Sequence, residues 1–225
     1  MESKMKTLLL LLLLGVLLML FVWAFLKFFY RDPKRIPPDL PNAILSPADG
    51  RICYIKYIKS GEVNYSRKNR RQINLSDILK NDIDTREDYI LFGIQMSFFN
   101  VHYQRAPIDG IVYDQKYIPG KFLDLRTTRK ILEFEGERNI TYIKSHDEKR
   151  IAIVIQIASN SVRKIVSHVK INDTVKKGDK IGLIKFGSQV DLIIPAKNVT
   201  LKVAEKAKLK AGETIIGELG IIDEQ

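Results

Sequence analysis

Val175-Lys-Lys-Gly178-Asp-Lys-Ile-Gly182 and, further on, Leu209-Lys-Ala-Gly212-Glu-Thr-Ile-Ile216 decide the fold. Each reads as a turn between two short strands, with glycine where the backbone must reverse. A second repeated pair, Pro47-Ala-Asp49-Gly50-Arg-Ile52 and Pro107-Ile-Asp109-Gly110-Ile-Val112, carries Asp-Gly steps that predict tight turns. Around these lie runs rich in Ile, Val and Tyr: Ile52–Ile58, Tyr89–Met96, Ile111–Ile118, Ile140–Lys144 and Ile151–Ala158. Gly, Pro, Asn and Asp separate them, the signature of a β-rich domain. Ser60–Asp88 is polar and reads as a long hairpin with a short helix near Leu75–Leu79. A second helical turn is expected at Ser159–Lys164.

Repeated hairpins of this kind occur in barrel-sandwich domains such as those of lipoyl and biotinyl carriers. The expected fold is therefore mainly β, a barrel-sandwich-hybrid-like domain with few short helices. That similarity speaks to fold alone. Ahead of the domain, residues 7–26 contain no charge. Twenty apolar residues at about 1.5 Å each span the roughly 30 Å hydrocarbon core of a bilayer. A signal peptide would have a shorter apolar core followed by small residues. Here the run continues through Trp23 to Tyr30, which suits an aromatic belt, so a retained transmembrane helix is expected. Pro33, Pro37, Pro38 and Pro41 then punctuate a linker. The organisation is an anchor with flanks at 1–30, the linker at 31–42 and one domain at 43–225.

Lys4 and Lys6 precede the span, while Lys27, Arg31, Lys34 and Arg35 follow it, which places the body on the cytoplasmic side of the cell membrane. The formal charge of +11 implies an anionic partner. With an anchor present, an anionic membrane surface is favoured over nucleic acid. Arg67, Lys68, Arg70 and Arg71 are the densest basic cluster, either a solvated loop or a headgroup-facing patch. The single cysteine, Cys53, excludes an internal disulfide framework and reads as a buried core thiol. Scattered histidines and no Cys-x-x-Cys give no metal site.

Of 13 glycines, Gly187 alone is followed directly by a hydroxyl or thiol residue, Ser188. Gly187 has no Cβ to shield its carbonyl, and a serine Oγ held against that carbonyl can attack it if a base takes the proton. Three histidines are available. His146 falls at a charged hairpin tip and reads as surface; His168, before a turn, reads as structural. His102, in Phe98-Phe99-Asn100-Val101-His102-Tyr103-Gln104-Arg105-Ala106-Pro107, follows a strand where polar groups collect and is the candidate base.

Five blocks in order now carry a resemblance: Phe29-Tyr30-Arg31-Asp32-Pro33, Ser46-Pro47-Ala48-Asp49-Gly50, Asn100-Val101-His102 to Ala106-Pro107, Pro119-Gly120-Lys121-Phe122, and Phe186-Gly187-Ser188-Gln189-Val190-Asp191. From Phe29 onward the chain resembles the phosphatidylserine decarboxylase proenzymes of the short prokaryotic type, archaetidylserine decarboxylases included. The resemblance implies that Ser188 attacks Gly187, splitting the precursor into a β chain, 1–187, and an α chain, 188–225. The new N-terminus would become a pyruvoyl group, whose ketone condenses with the substrate amine and draws off electrons as CO₂ leaves. The implied substrate is a serine phospholipid and the product its ethanolamine counterpart; association of further copies is left open.

By the same resemblance Asp49 orients or assists and His102 handles protons. Longer relatives have a second histidine where this chain has Arg105, which is expected to hold the substrate's carboxylate or phosphate. Asp191 is either a strand-edge charge or a site residue. The competing reading is a non-catalytic, membrane-anchored barrel-sandwich adaptor or carrier module, although no sustained heptads of the adaptor kind occur.

Overall fold

The computed structural model describes residues 2–59, 62–64, 72–74, 79, 87–119, 137–147, 150–158, 165–185 and 188–220. The chain divides into two compact units, Met1–Pro33 and Lys34–Gln225.

The first unit is one helix, α1 (Glu2–Phe29), long and apolar enough to cross a membrane. Phe21, Phe25 and Phe29 stack at four-residue spacing, with ring centroids 6.4 and 6.2 Å apart. Lys27 places its ammonium 4.5 Å from the Trp23 ring, an apolar body with a polar tip at the end of the span.

The second unit is built from β1 (Ala43–Leu45), β2 (Gly50–Ile58), β3 (Glu62–Asn64), β4 (Gln72–Asn74), β5 (Tyr89–Gln95), β6 (Tyr103–Arg105), β7 (Gly110–Ile118) and β8 (Arg138–Lys144). There follow β9 (Ile151–Ala158), β10 (Ile165–Ser167), β11 (Thr174–Val175), β12 (Lys180–Ile184), β13 (Ser188–Pro195), β14 (Val199–Leu201), β15 (Lys208–Leu209) and β16 (Ile215–Leu219). Eight strands form a curled half-barrel in the order β11-β7-β8-β9-β13-β5-β2-β15. Two three-stranded sheets, β1-β16-β14 and β10-β12-β6, complete the body, and β3 pairs with β4 as the expected hairpin. The pairings are antiparallel.

Alternation along the strands fills both faces of the large sheet. Ile90, Phe92, Ile94, Val154, Val190 and Leu192 bury on one face. Tyr89, Leu91, Ile153, Ile155, Ile140 and Ile193 bury on the other. Each fully buried side chain of this size contributes roughly 1.5–3 kcal/mol. A sheet covered on both faces needs apolar residues at successive positions, as Ile151–Ala158 supplies.

The repeats in the sequence are a two-fold repetition in space. Read from either end, the large sheet runs β11-β7-β8-β9 and β15-β2-β5-β13, and the two small sheets match likewise. The predicted hairpins are corrected, however. β11 pairs with β7 while β12 pairs with β6 and β10, so the Gly178 turn carries the chain from one sheet to another. The Gly212 turn does the same between β15 and β16. Both glycines have positive φ, 90° and 71°.

The Asp-Gly steps are likewise not tight turns: they are bends leading into β2 and β7. A Cβ at Gly110 would clash with the carbonyl of Lys144, and one at Gly50 would lie 2.5 Å from the Gln95 carbonyl oxygen. Close strand approach, rather than turn geometry, requires glycine there.

Cys53 is exposed, against the sequence expectation. The β2–β5 register shifts between Ile52 and Tyr54, and a bulge there takes Cys53 out of the in–out alternation. Its thiol donates to the Gly93 carbonyl at 3.2 Å. The expected short helices at 75–79 (Leu79 apart) and 159–164, and the basic cluster at 67–71, lie outside the described residues.

Candidate active site

Ser188 is the first residue of β13, where its backbone pairs with Ala158 of β9. β13 lies between β9 and β5 in the interior of the large sheet, so the backbone after the Gly187-Ser188 bond is locked on both sides. Gly187 and Phe186, and with them the Gly120–Phe122 block, lie outside the described residues.

His102 stands at the strand that leads towards this point. Its carbonyl accepts from the Ile184 N–H at 3.2 Å, four residues before Ser188. The ring is fully buried. Its Nδ1 lies 2.9 Å from the Asn100 carbonyl. A carbonyl can only accept, so this bond puts the proton of the neutral ring on Nδ1 and leaves Nε2 as the basic atom. Asn100 is itself held: its Oδ1 accepts from the Ser97 N–H at 2.6 Å and the Ser97 hydroxyl at 2.7 Å.

Beside His102 runs a chain of buried amides that sequence reading missed. Gln104 donates to the His102 carbonyl at 2.9 Å, Gln156 to Gln104 Oε1 at 2.8 Å, and Asn139 to Gln156 Oε1 at 3.0 Å. These residues are all buried. Gln156 lies opposite Val190 in β13, so the network reaches within two residues of Ser188. A satisfied polar network in a dry core fixes positions because breaking any member strands the rest. The one available signal was Gln156 inside the otherwise apolar Ile151–Ala158.

Asp49 and Arg105 are brought to the paired turns instead. Arg35 Nη2 donates to both oxygens of the Asp49 carboxylate at 2.9 Å each, and the Ala211 N–H donates to its Oδ1 at 2.8 Å. Asp109, the two-fold equivalent, accepts the matching bond from the Lys177 N–H at 2.9 Å. Arg105 is buried and donates through Nη1 to the Gly178 carbonyl at 2.7 Å. Arg35 also donates to Glu213 at 3.2 Å. Burial works to raise the Glu213 carboxyl, but hydrogen bonds from Arg35 and the Ile36 N–H, with the charges of Arg35 and Lys210, carry it below the ordinary value.

Asp191 is no strand-edge charge, since β13 is interior. The Tyr54 hydroxyl reaches its two oxygens at 3.0 and 2.9 Å, and Gln189 Nε2 donates to Oδ1 at 2.7 Å. Arg138 feels this carboxylate too. Burial lowers its pKa below the ordinary guanidinium value, with Asp191 opposing. The Tyr54 ring lies where a Cβ at Gly93 would be, so Gly93 makes room for the cluster. His146 and His168 are exposed, and His168 packs edge-on to Tyr103. No group of three or more potential metal ligands occurs among the described residues.

An interior strand beginning at Ser188, with a buried histidine bonded to the strand ahead of it, is the placement that a protein acting on its own backbone would need. Comparison with known proteins narrows the reading. The model of the family described as phosphatidylserine decarboxylase matches residues 22–217. A phosphatidylserine decarboxylase proenzyme of Geotalea uraniireducens is 39% identical over 200 residues, covering 89% of this chain and 82% of the relative. That of Geobacter sulfurreducens is 36% identical, covering 91% and 82%. A Methanothermobacter thermautotrophicus protein, provisionally named archaetidylserine decarboxylase proenzyme, is 37% identical, covering 89% and 83%. The chain belongs to the phosphatidylserine decarboxylase family, an enzyme family of self-processing proenzymes, which sets aside the adaptor or carrier alternative.

Proposed function

We propose that this protein decarboxylates phosphatidylserine or archaetidylserine to the ethanolamine phospholipid, using a pyruvoyl group made from its own Ser188. The observation that carries this reading is the placement of Ser188 as the first residue of an interior strand, with His102 bonded to the strand that leads there. Ser188 Oγ attacks the Gly187 carbonyl, shifting the backbone from amide to ester. Elimination frees Gly187 as a carboxylate, and hydrolysis with loss of ammonia leaves the keto acid at position 188.

The fit is topological. The broken bond precedes the first ladder pair of β13, so scission costs the sheet no pairing. Residues 188–225 retain β13, β14, β15 and β16, which pair with strands of the 1–187 chain through β9, β5, β2 and β1. When formed, the pyruvoyl group supplies a carbonyl electron sink for the leaving carboxylate.

The chain's own residues bind, orient and move protons. His102, with Nδ1–H tied to Asn100, offers Nε2 as base for the Ser188 proton and as the carrier that returns one to the substrate carbon. The Gln104–Gln156–Asn139 chain holds the His102 backbone against β9. Asp49 and Arg105 act as positioning residues: their bonds to Ala211 and Gly178 fix the turns on which β12 and β16 begin. α1 anchors the body at the cytoplasmic side of an anionic membrane, consistent with the charges flanking it.

Intact mass tests the reading. Wild type is expected as two chains, the smaller starting at 188 and trapping hydrazine or a borohydride-reduced amine. A correctly folded wild type in one piece, with no reactive carbonyl, would overturn it.

A further inference from the structure

Phe98 and Phe99 are 39% and 70% exposed, on the turn that leads from β5 towards His102. Their rings meet edge to face, centroids 5.6 Å apart. The turn is fixed by the two bonds onto Asn100 Oδ1 and by the Asn100 N–H donating to the Ser97 carbonyl at 3.0 Å. A single exposed apolar side chain is ordinary surface. Two adjacent aromatic rings on a locked turn hold apolar area in water that burial would release. The same Asn100 that closes the turn receives the His102 Nδ1–H. The apolar tip and the site are therefore one rigid piece.

We propose that the Phe98–Phe99 turn is a membrane wedge: both rings enter the interface of a phospholipid bilayer and so seat His102 at headgroup depth. The inference rests on the lipid-substrate reading above and names the surface that presents that substrate. Three residues from Phe99 to His102 reach at most roughly 10 Å. Apolar groups of interfacial segments sit roughly 5–10 Å into the headgroup–acyl boundary. Rings at that depth leave His102 within the headgroup layer, where a serine phospholipid carries its amine and carboxylate. Charge agrees: the chain carries +11, and Lys185 directly follows Ile184, whose N–H bonds the His102 carbonyl. A chain of net positive charge, with a lysine at this point, favours an anionic leaflet.

The test uses the full chain in vesicles of phosphatidylcholine and phosphatidylglycerol. Trp23 is the only tryptophan, so Trp23→Phe with Phe99→Trp leaves one indole, at the turn. Brominated acyl chains are expected to quench it; emission at the wavelength of water-exposed indole, unquenched, overturns the proposal. A second arm compares activity on vesicle-borne serine phospholipid with activity on a monomeric short-chain analogue. The ratio is expected to fall roughly ten-fold in Phe98→Ser/Phe99→Ser and to hold in Phe98→Leu/Phe99→Leu. An unchanged ratio in the serine pair refutes the wedge, and should that pair misfold, the indole measurement still decides. Failure of the pyruvoyl reading shows separately, as an uncleaved chain, while quenching is read in either case.

Discussion

Replacing Arg35 by Met removes a guanidinium whose side chain is 7% exposed, from a carboxylate, Asp49, that is 11% exposed. Two bonds of 2.9 Å to Asp49 and one of 3.2 Å to Glu213 disappear together. Methionine fills much of the volume but offers no donor, so Asp49 keeps only its bond from the Ala211 N–H. Breaking a buried ion pair from one side costs about 3–5 kcal/mol, chiefly through the charge left behind. In a body of this size that lowers the melting temperature by roughly 10 °C. The measurement belongs in a Ser188→Ala background, where one covalent chain unfolds. The double variant Arg35→Met/Asp49→Asn removes the stranded charge and is expected to recover part of the loss. A melting temperature unchanged in Arg35→Met, or a double variant as unstable as the two single changes summed, would refute the reasoning.

Ser188→Ala is expected to give one uncleaved chain by denaturing electrophoresis and no decarboxylase activity. His102→Ala should slow scission, turnover or both by at least about a hundred-fold, the usual scale of general acid–base catalysis, with wild-type rates in both assays excluding it from the chemistry. Gly182→Ala places a Cβ 2.5 Å from Gln156 Nε2 and 2.9 Å from the Val166 carbonyl. Overpacking there costs about 1–3 kcal/mol, read as a lower melting temperature, and scission should slow with it. Glu213 has a lowered carboxyl pKa, so its contribution to stability is present above the unfolded value near 4.3 and lost as pH falls through the folded one. Glu213→Gln should therefore flatten the acid side of a stability–pH profile; an unchanged slope contradicts the assignment.

The β architecture was legible because Ile52–Ile58 and its companions carry β-branched runs between breakers, and the turns at Gly178 and Gly212 announce themselves. What sequence could not give was which strands those turns join. Pairing partners such as β11 with β7 are long-range, and a local turn signal does not encode them. Asp49-Gly50 and Asp109-Gly110 misled for the same reason: glycine serves close approach to strands far away in sequence. Cys53 was lost to a bulge, which shifts one residue without marking the composition. At the candidate site, Ser188 and His102 were singled out by residue type, and their roles rest on the proposal above. Of the amides, only Gln156 left a mark, as the one polar residue in Ile151–Ala158; Gln104 and Asn139 lie among polar neighbours, where sequence does not tell a buried amide from a solvated one.

The interior position of β13 has a consequence for how such a precursor matures. A fragment cut free at Ser188 is stitched into the body like a thread through the middle of a woven cloth, and releasing it means tearing open neighbours on both sides. Two polypeptides born from one would stay paired for the molecule's lifetime, and mixing of halves between molecules would be negligible. Each catalyst would live or die with the cofactor it made for itself.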